Sequence, residues 1–228
     1  MPLDEIAEGL FATTSPVSFM GVPMSARTTV ARLAGGGLFV CSPGALDDGL
    51  RRQLDALGQV RVLVAPNQFH HLFLGDWRAA YPEASVHIPP SLVRKRPDLS
   101  DAQLLGEAAP FEFGGEVDVC RMRGFPTIDE TWFYHRASRT LIDTDLMHNM
   151  HDDPSWFART TWRMMGAWKR FGPSRLERLL VRDRAGLRES VESALAWDFE
   201  RIVVAHGDVL EAPDANDRVR AAWGWLLT

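Results

Sequence analysis

Three apolar runs in this chain break off at residues that can hold a metal or move a proton. Val62-Leu63-Val64-Ala65 stops at Pro66-Asn67 and is followed by His70-His71; Thr140-Leu141-Ile142 gives way to Asp143-Thr144-Asp145; Arg201-Ile202-Val203-Val204 runs into Ala205-His206-Gly207-Asp208. Short β-branched runs bounded by Pro, Asn, Asp and Gly read as strands ending in loops. Polar groups collected at one rim of a sheet are where sites gather in alternating α/β folds. Adjacent side chains diverge on any regular element, so His70 and His71 can meet one ion only where the backbone turns, as at a strand-to-helix corner. Imidazoles suit zinc, iron or manganese. The alternative is that His71 caps or packs the helix start while His70 faces solvent.

The rest of the chain supplies the elements that such corners need. Residues 17–20 and 25–33 read as strands, and Gly35-Gly36-Gly37 turns the second back into a strand over 38–41. Leu46, Leu50, Leu54 and Leu57 recur at helical spacing before Gly58, which predicts an amphipathic helix delivering the chain to a strand over 60–64. A short helix over 77–81, stopped by Pro82, precedes a strand over 86–88 in which His87 takes the polar strand face. Residues 89–106 read as a polar surface connection with a basic patch at Arg94-Lys95-Arg96. Strand signals return at 111–113, 117–122, 131–134 and 140–142, with His135 exposed beside a turn and Cys120 a small core residue. A helix over 186–196, the strand over 201–204 and a last helix over 215–227 close the chain. Alternating strands and helices make the fold class α/β.

A chain of 228 residues that is 46% hydrophobic can bury a large core, and one domain over 1–228 is expected. Its net charge of −5 leaves no excess of basic side chains to track phosphates, so nucleic acid is excluded as a general partner. Two cysteines, Cys41 and Cys120, are too few for a disulfide framework or a thiolate cage. Together with an acidic N-terminus that lacks the blocks of a secretory signal, they point to a cytoplasmic protein. No apolar run reaches the ~18 residues that span a bilayer.

Residues 155–184 differ in character. Eight basic side chains stand against two acidic ones, a local charge of +6, interleaved with Trp156, Phe157, Trp162, Met164, Met165, Trp168 and Phe171. An aromatic face packed on the sheet with solvated arginines opposite is one reading. A basic aromatic helical insertion meeting a membrane surface, an anionic ligand or a partner subunit, which leaves a homodimer open, is the other.

The order of these strand ends resembles the metallo-β-lactamase superfamily, whose members show His-x-His-x-Asp-His after an early strand, a further histidine, an aspartate at a later strand end and a final histidine in a tight turn. Pro66-Asn67-Gln68-Phe69-His70-His71-Leu72-Phe73 is similar to a degenerate branch marked by Pro-Asn-x-x-His-His-Leu-Phe. His71 matches the last histidine of the motif and His70 stands where its aspartate is expected. Pro66 and Gln68 replace the first two histidines, and 124–130 contains none. Asp145 and His206 match the later aspartate and the final histidine. The resemblance implies a four-layer αββα sandwich of two mixed sheets, with one of the family's two metal sites erased and its neighbour kept.

A metal set of His70, His71, Asp145 and His206 follows from that resemblance, holding one divalent ion, zinc first and iron or manganese as alternatives. Such an ion would acidify water for attack on an ester, lactone or phosphoester. Asp143 or Glu130 would orient that water or carry its proton, with His148 and His151 as supporting donors. Four filled positions also resemble a closed structural site. A non-catalytic binding protein, its metal structural or absent, and a peripheral membrane or partner-binding protein therefore stand beside the hydrolase of a small molecule.

Overall fold

A computed structural model describes residues 1–19, 21–151 and 155–228. The chain opens with β1 (Asp4–Ala7), β2 (Leu10–Phe19), β3 (Val22–Arg32) and β4 (Gly37–Cys41), paired antiparallel in that order. Helix α1 (Asp48–Leu57) leads to β5 (Gln59–Val64), α2 (Leu74–Ala80) to β6 (Ser85–Ile88), and a short β7 (Gln103–Leu104) completes a seven-stranded sheet in which β4 to β7 run parallel. Helix α1 starts where the Asp47 side chain accepts the Leu50 N–H and stops where Gly58 donates to the Leu54 carbonyl.

A second sheet is built from β8 (Val117–Arg121), β9 (Thr131–His135) and β10 (Thr140–Ile142). Beyond it lie β11 (His148–Asn149), α3 (Trp156–Met165), β12 (Phe171–Gly172), α4 (Arg175–Leu180) and α5 (Arg184–Ala194). The chain then returns through β13 (Arg201–Val203) and β14 (Leu210–Glu211) to α6 (Ala215–Ala222) and α7 (Gly224–Leu227). The five-stranded order is β14-β13-β10-β9-β8, with β10 and β13 parallel. Strands β11 and β12 form a separate pair.

Period-two alternation stacks these pieces in four layers. Leu38 and Val40 of β4 face outward against Leu50 and Leu54 of α1 and Trp77 of α2. Phe39 and Cys41 of the same strand face inward, where they meet Phe133, Ile142 and Val203 of the second sheet. On that sheet's outer face Trp132, Leu141 and Ile202 pack against Leu187 of α5 and Val219 and Trp223 of the C-terminal helices. This is the α/β sandwich of two mixed sheets between helices that the sequence predicts.

Local expectations fare less evenly. Residues 111–113 form one 3-10 turn rather than a strand: Pro110 opens it, Gly114 closes it at φ 66°, and Phe113 drops into the inter-sheet core with its ring 5.0 Å from that of Phe39. His135 is buried rather than exposed, its Nδ1 2.7 Å from Ser138 Oγ. His87 takes the inner face of β6 against Phe113. Residues 89–106 are more than a surface connection, since Leu92, Leu99 and Leu105 are buried and β7 extends the sheet. The last helix is broken at Trp223. Met20, the end of the expected strand over 17–20, lies outside the described residues. No helix among the described residues is long and apolar enough to cross a membrane.

Candidate metal centre

The first corner is shaped by Asn67, which is fully buried. Its Oδ1 accepts from the backbone of Phe69 at 2.7 Å and of His70 at 2.9 Å, an Asx turn that bends the chain sharply after Pro66. Its Nδ2 donates to Asp145 Oδ2 at 2.7 Å and Glu130 Oε2 at 2.6 Å, tying this corner to the second sheet. At the third corner Gly207 adopts φ 108°, where a Cβ would stand 2.3 Å from the Asn149 carbonyl oxygen, so only glycine fits the turn that presents His206. Arg27 of β3 braces the same turn, with its backbone N–H on Ala205 O and its guanidinium on the carbonyls of Val204 and Gly207.

These corners bring His70, Asp145 and His206 together, with one ligand atom from each lying within 4.8 Å of the others. The Nε2 atoms of His70 and His206 both sit 3.2 Å from Asp145 Oδ1. Each candidate ligand is fixed from behind, as ligands at metal sites usually are. His70 Nδ1 is 2.6 Å from Ser42 Oγ, and His206 Nδ1 is 2.7 Å from the Ser25 carbonyl. A carbonyl only accepts, so Nδ1 of His206 carries a proton and the neutral ring offers its lone pair at Nε2. Burial alone would raise the Asp145 carboxyl, but the charge on His70 and the bonds from both imidazoles hold it well below the usual carboxylate range. Burial works against protonated His206, yet Asp145 and the Ser25 carbonyl outweigh it and raise its pKa. Two imidazoles with fixed outer nitrogens and one carboxylate kept ionised are a donor set that fits a divalent cation.

His71 does not join them, which corrects the four-ligand expectation. The turn that aims His70 at the rim sends its neighbour the other way, so that His71 Nδ1 and carbonyl oxygen each take the Arg96 guanidinium at 3.0 Å. Burial, then the charges of Lys95 and Arg96, push its pKa down to about 4.

The residues expected to handle protons are placed differently from one another. Asp143, just past the end of β10 at Ile142, accepts from Trp132 Nε1 at 2.5 Å and from the backbone of Met147 at 2.9 Å. Glu130 accepts from the Thr144 N–H at 2.8 Å and from the Thr144 hydroxyl. Both carboxyls are buried and neither lines the cavity over the cluster; both hold the loop that presents Asp145. Burial, then the charge of Asp145, pushes Glu130 up to about 8, and burial with the Glu130 charge raises Asp143 well above its ordinary range. His148 does line the cavity, with Nε2 3.3 Å from Glu177 Oε1 and its ring 6.2 Å from that of His206. His151 turns back to Asn149.

That cavity, of about 310 Å³, has His70, Asp145 and His206 in its lining. Val17, Met24, Phe69, Phe73, Trp162 and Met165 supply apolar walls, and no Lys or Arg lines it among the described residues. The basic side chains of 155–184 are therefore not its lining. Ser42, Ser25 and Asn67, the groups behind the ligands, received no role from the sequence; Pro-Asn after a strand is the one signal that points to any of them.

Two mixed sheets between helices, with a His-Asp-His cluster on one rim, define a metallo-β-lactamase fold. Solved structures similar in shape agree. The chain superposes on DIM-1 metallo-β-lactamase exposed to ceftazidime with a TM-score of 0.66 at 13% identity, covering 98% of this chain and 96% of that one. A metallo-β-lactamase from Pontibacter korlensis gives 0.61 at 13% identity over 95% of both chains. The metal-soaked Flv1 flavodiiron core from Synechocystis gives 0.67 at 12% identity, covering 99% of this chain but 60% of that one. No protein-family model matches the sequence, and no curated protein does.

Proposed function

We propose that this protein is a metal-dependent hydrolase with a mononuclear site, acting on a neutral, largely apolar ester or lactone. The observation that carries the reading is a cluster of three ligands, not four, beneath an apolar cavity. Three protein ligands leave coordination positions open, the pattern of catalytic rather than closed structural zinc sites. A divalent ion held by His70, Asp145 and His206 would supply Lewis acidity towards a carbonyl oxygen and make water a stronger acid, with zinc the first candidate and iron or manganese next.

The protein's own groups do the rest. Ser42 and the Ser25 carbonyl fix the two imidazoles, and Asn67 fixes the carboxylate, so the rim is organised before substrate arrives. Apolar walls bind the body of the substrate and exclude water, which strengthens each charge at the rim. The absence of cationic lining among the described residues favours a neutral carbonyl substrate over a phosphoester. Of Asp143, Glu130 and the two supporting donors His148 and His151, His148 is the one lining the cavity, and we assign proton transfer to it, with Glu177 holding its Nε2. Two free cysteines support a reducing, cytoplasmic setting.

Protein purified without a chelating tag should contain about one zinc, iron or manganese per chain by elemental analysis. It should cleave apolar aryl esters, with turnover falling at least about a hundredfold in His206→Ala. An ion-free protein, or turnover that survives the substitution, would sink the reading; a retained ion without turnover would make the site a binding or structural one.

A further inference from the structure

Helices α3 and α4 wall the cavity with Trp162, Met165, Leu176 and Leu180, yet their outward sides are apolar as well. Ala158 and Trp162 form the buried stripe of α3, whereas Trp156 is 70% exposed and Met164 72%. On α4 Leu179 is 78% exposed, and Leu72, lining the cavity from the turn before α2, is 69% exposed. The two helices abut, because Arg175 donates to the Met164 carbonyl at 3.3 Å. Around these side chains lies the basic segment, with Arg163, Lys169, Arg170 and Arg175 exposed. Of its two acidic residues, Glu177 is buried on His148 and Ser174. A chain of net charge −5 thus gathers +6 within 155–184, with Arg159, Arg163, Arg175 and Arg178 on the two helices that wall the cavity and Lys169 and Arg170 on the connection between them.

We propose that this rim docks on an anionic lipid bilayer. Protruding Trp, Met and Leu side chains set among arginines suit the boundary between acyl chains and anionic headgroups, where apolar insertion and charge attraction add. Charge decides against a second copy of the chain, since a two-fold contact would lay the basic rim against itself. Against single-stranded nucleic acid, Trp156 and Phe157 are one edge-to-face pair rather than a row of stacking platforms, and Met164, Leu179 and Leu72 offer no ring at all. Docked this way, the cavity opens beside the membrane, and an apolar molecule dissolved there reaches it without crossing bulk water. The docking does not depend on the catalytic reading, and its test involves no turnover.

The full chain is sedimented with vesicles of phosphatidylcholine alone and of phosphatidylcholine with phosphatidylglycerol. It should pellet with the phosphatidylglycerol vesicles, release in high salt, and bind them about tenfold more weakly once Trp156→Ser, Met164→Ser and Leu179→Ser are combined. Circular dichroism checks that the triple variant is folded. Lys169→Glu with Arg170→Glu, which removes charge without touching the apolar side chains, should release the protein independently. Failure to pellet, equal pelleting with phosphatidylcholine alone, or binding unchanged in both variants overturns the proposal. So does a dimer in gel filtration that the triple variant dissolves, which would give the face to a second copy.

Discussion

Asn67 has the most connected side chain at the rim, and substitution there separates positioning from ligation. Its amide serves the Asx turn on one side and two carboxylates on the other, so Asn67→Leu leaves Asp145 Oδ2 and Glu130 Oε2 without their donor. Zinc affinity, read by competition with a chromophoric chelator, should fall by about 10- to 100-fold with all three ligands intact. The neighbouring histidines should behave oppositely. His70→Gln should abolish tight zinc binding, whereas His71→Gln should keep it, because His71 spends its ring on Arg96. Equal losses in the two variants would restore the fourth ligand. At this scale the candidate ligands His70, Asp145 and His206 can be picked out of the sequence because each follows an apolar run that stops abruptly. Ser42 and the Ser25 carbonyl are not, because the contacts that give them meaning join residues 28 and 181 positions apart.

Among the elements, the turns after the strands carry more of the site than the strands do. Gly207→Ala combines an unfavourable φ with a collision against the Asn149 carbonyl oxygen, and should cost at least about 3 kcal/mol in urea unfolding, with zinc affinity falling alongside. An alanine variant as stable as the parent would mean the turn can reshape. Apolar alternation made the central strands readable, since β4, β9, β10 and β13 each send alternate side chains to different cores. It failed where composition hid it. Strand β2 runs over Leu10–Phe19 through Thr13, Thr14, Ser15 and Pro16, polar and turn-forming residues that mask a ten-residue edge of the β2-β3 hairpin. Phe111-Glu112-Phe113 failed in the other direction, because aromatic residues two apart mimic a strand that Pro110 and Gly114 allow only as a turn.

Taken whole, the molecule buries His71, His87 and His135 where desolvation disfavours the proton, and its stability should depend on pH accordingly. Burial pushes His87 down to about 4 from an ordinary 6.5. Between those values the unfolded chain binds the proton and the folded chain does not, so stability is full near neutrality and falls as pH drops through 6.5 towards 4. From pH 7 to pH 5 this one group should account for about 2 kcal/mol, and His87→Gln should flatten the urea-derived stability profile by that order. A profile with the parent's slope would assign the pH response to other groups. Zinc should act on the whole fold too: at a hundred times its dissociation constant it should raise unfolding free energy by about 2.7 kcal/mol, an increment absent in His206→Ala.

Of the three clustered candidate ligands, His70 follows a strand of the first sheet, while Asp145 and His206 follow strands of the second. An ion gripped by all three would be a rivet through both plates of the sandwich. Cut the polypeptide near Gly106, and one fragment keeps a single gripping imidazole while the other keeps its two companions. Neither piece alone owns a complete socket, so the cation would register whether the two plates had found each other.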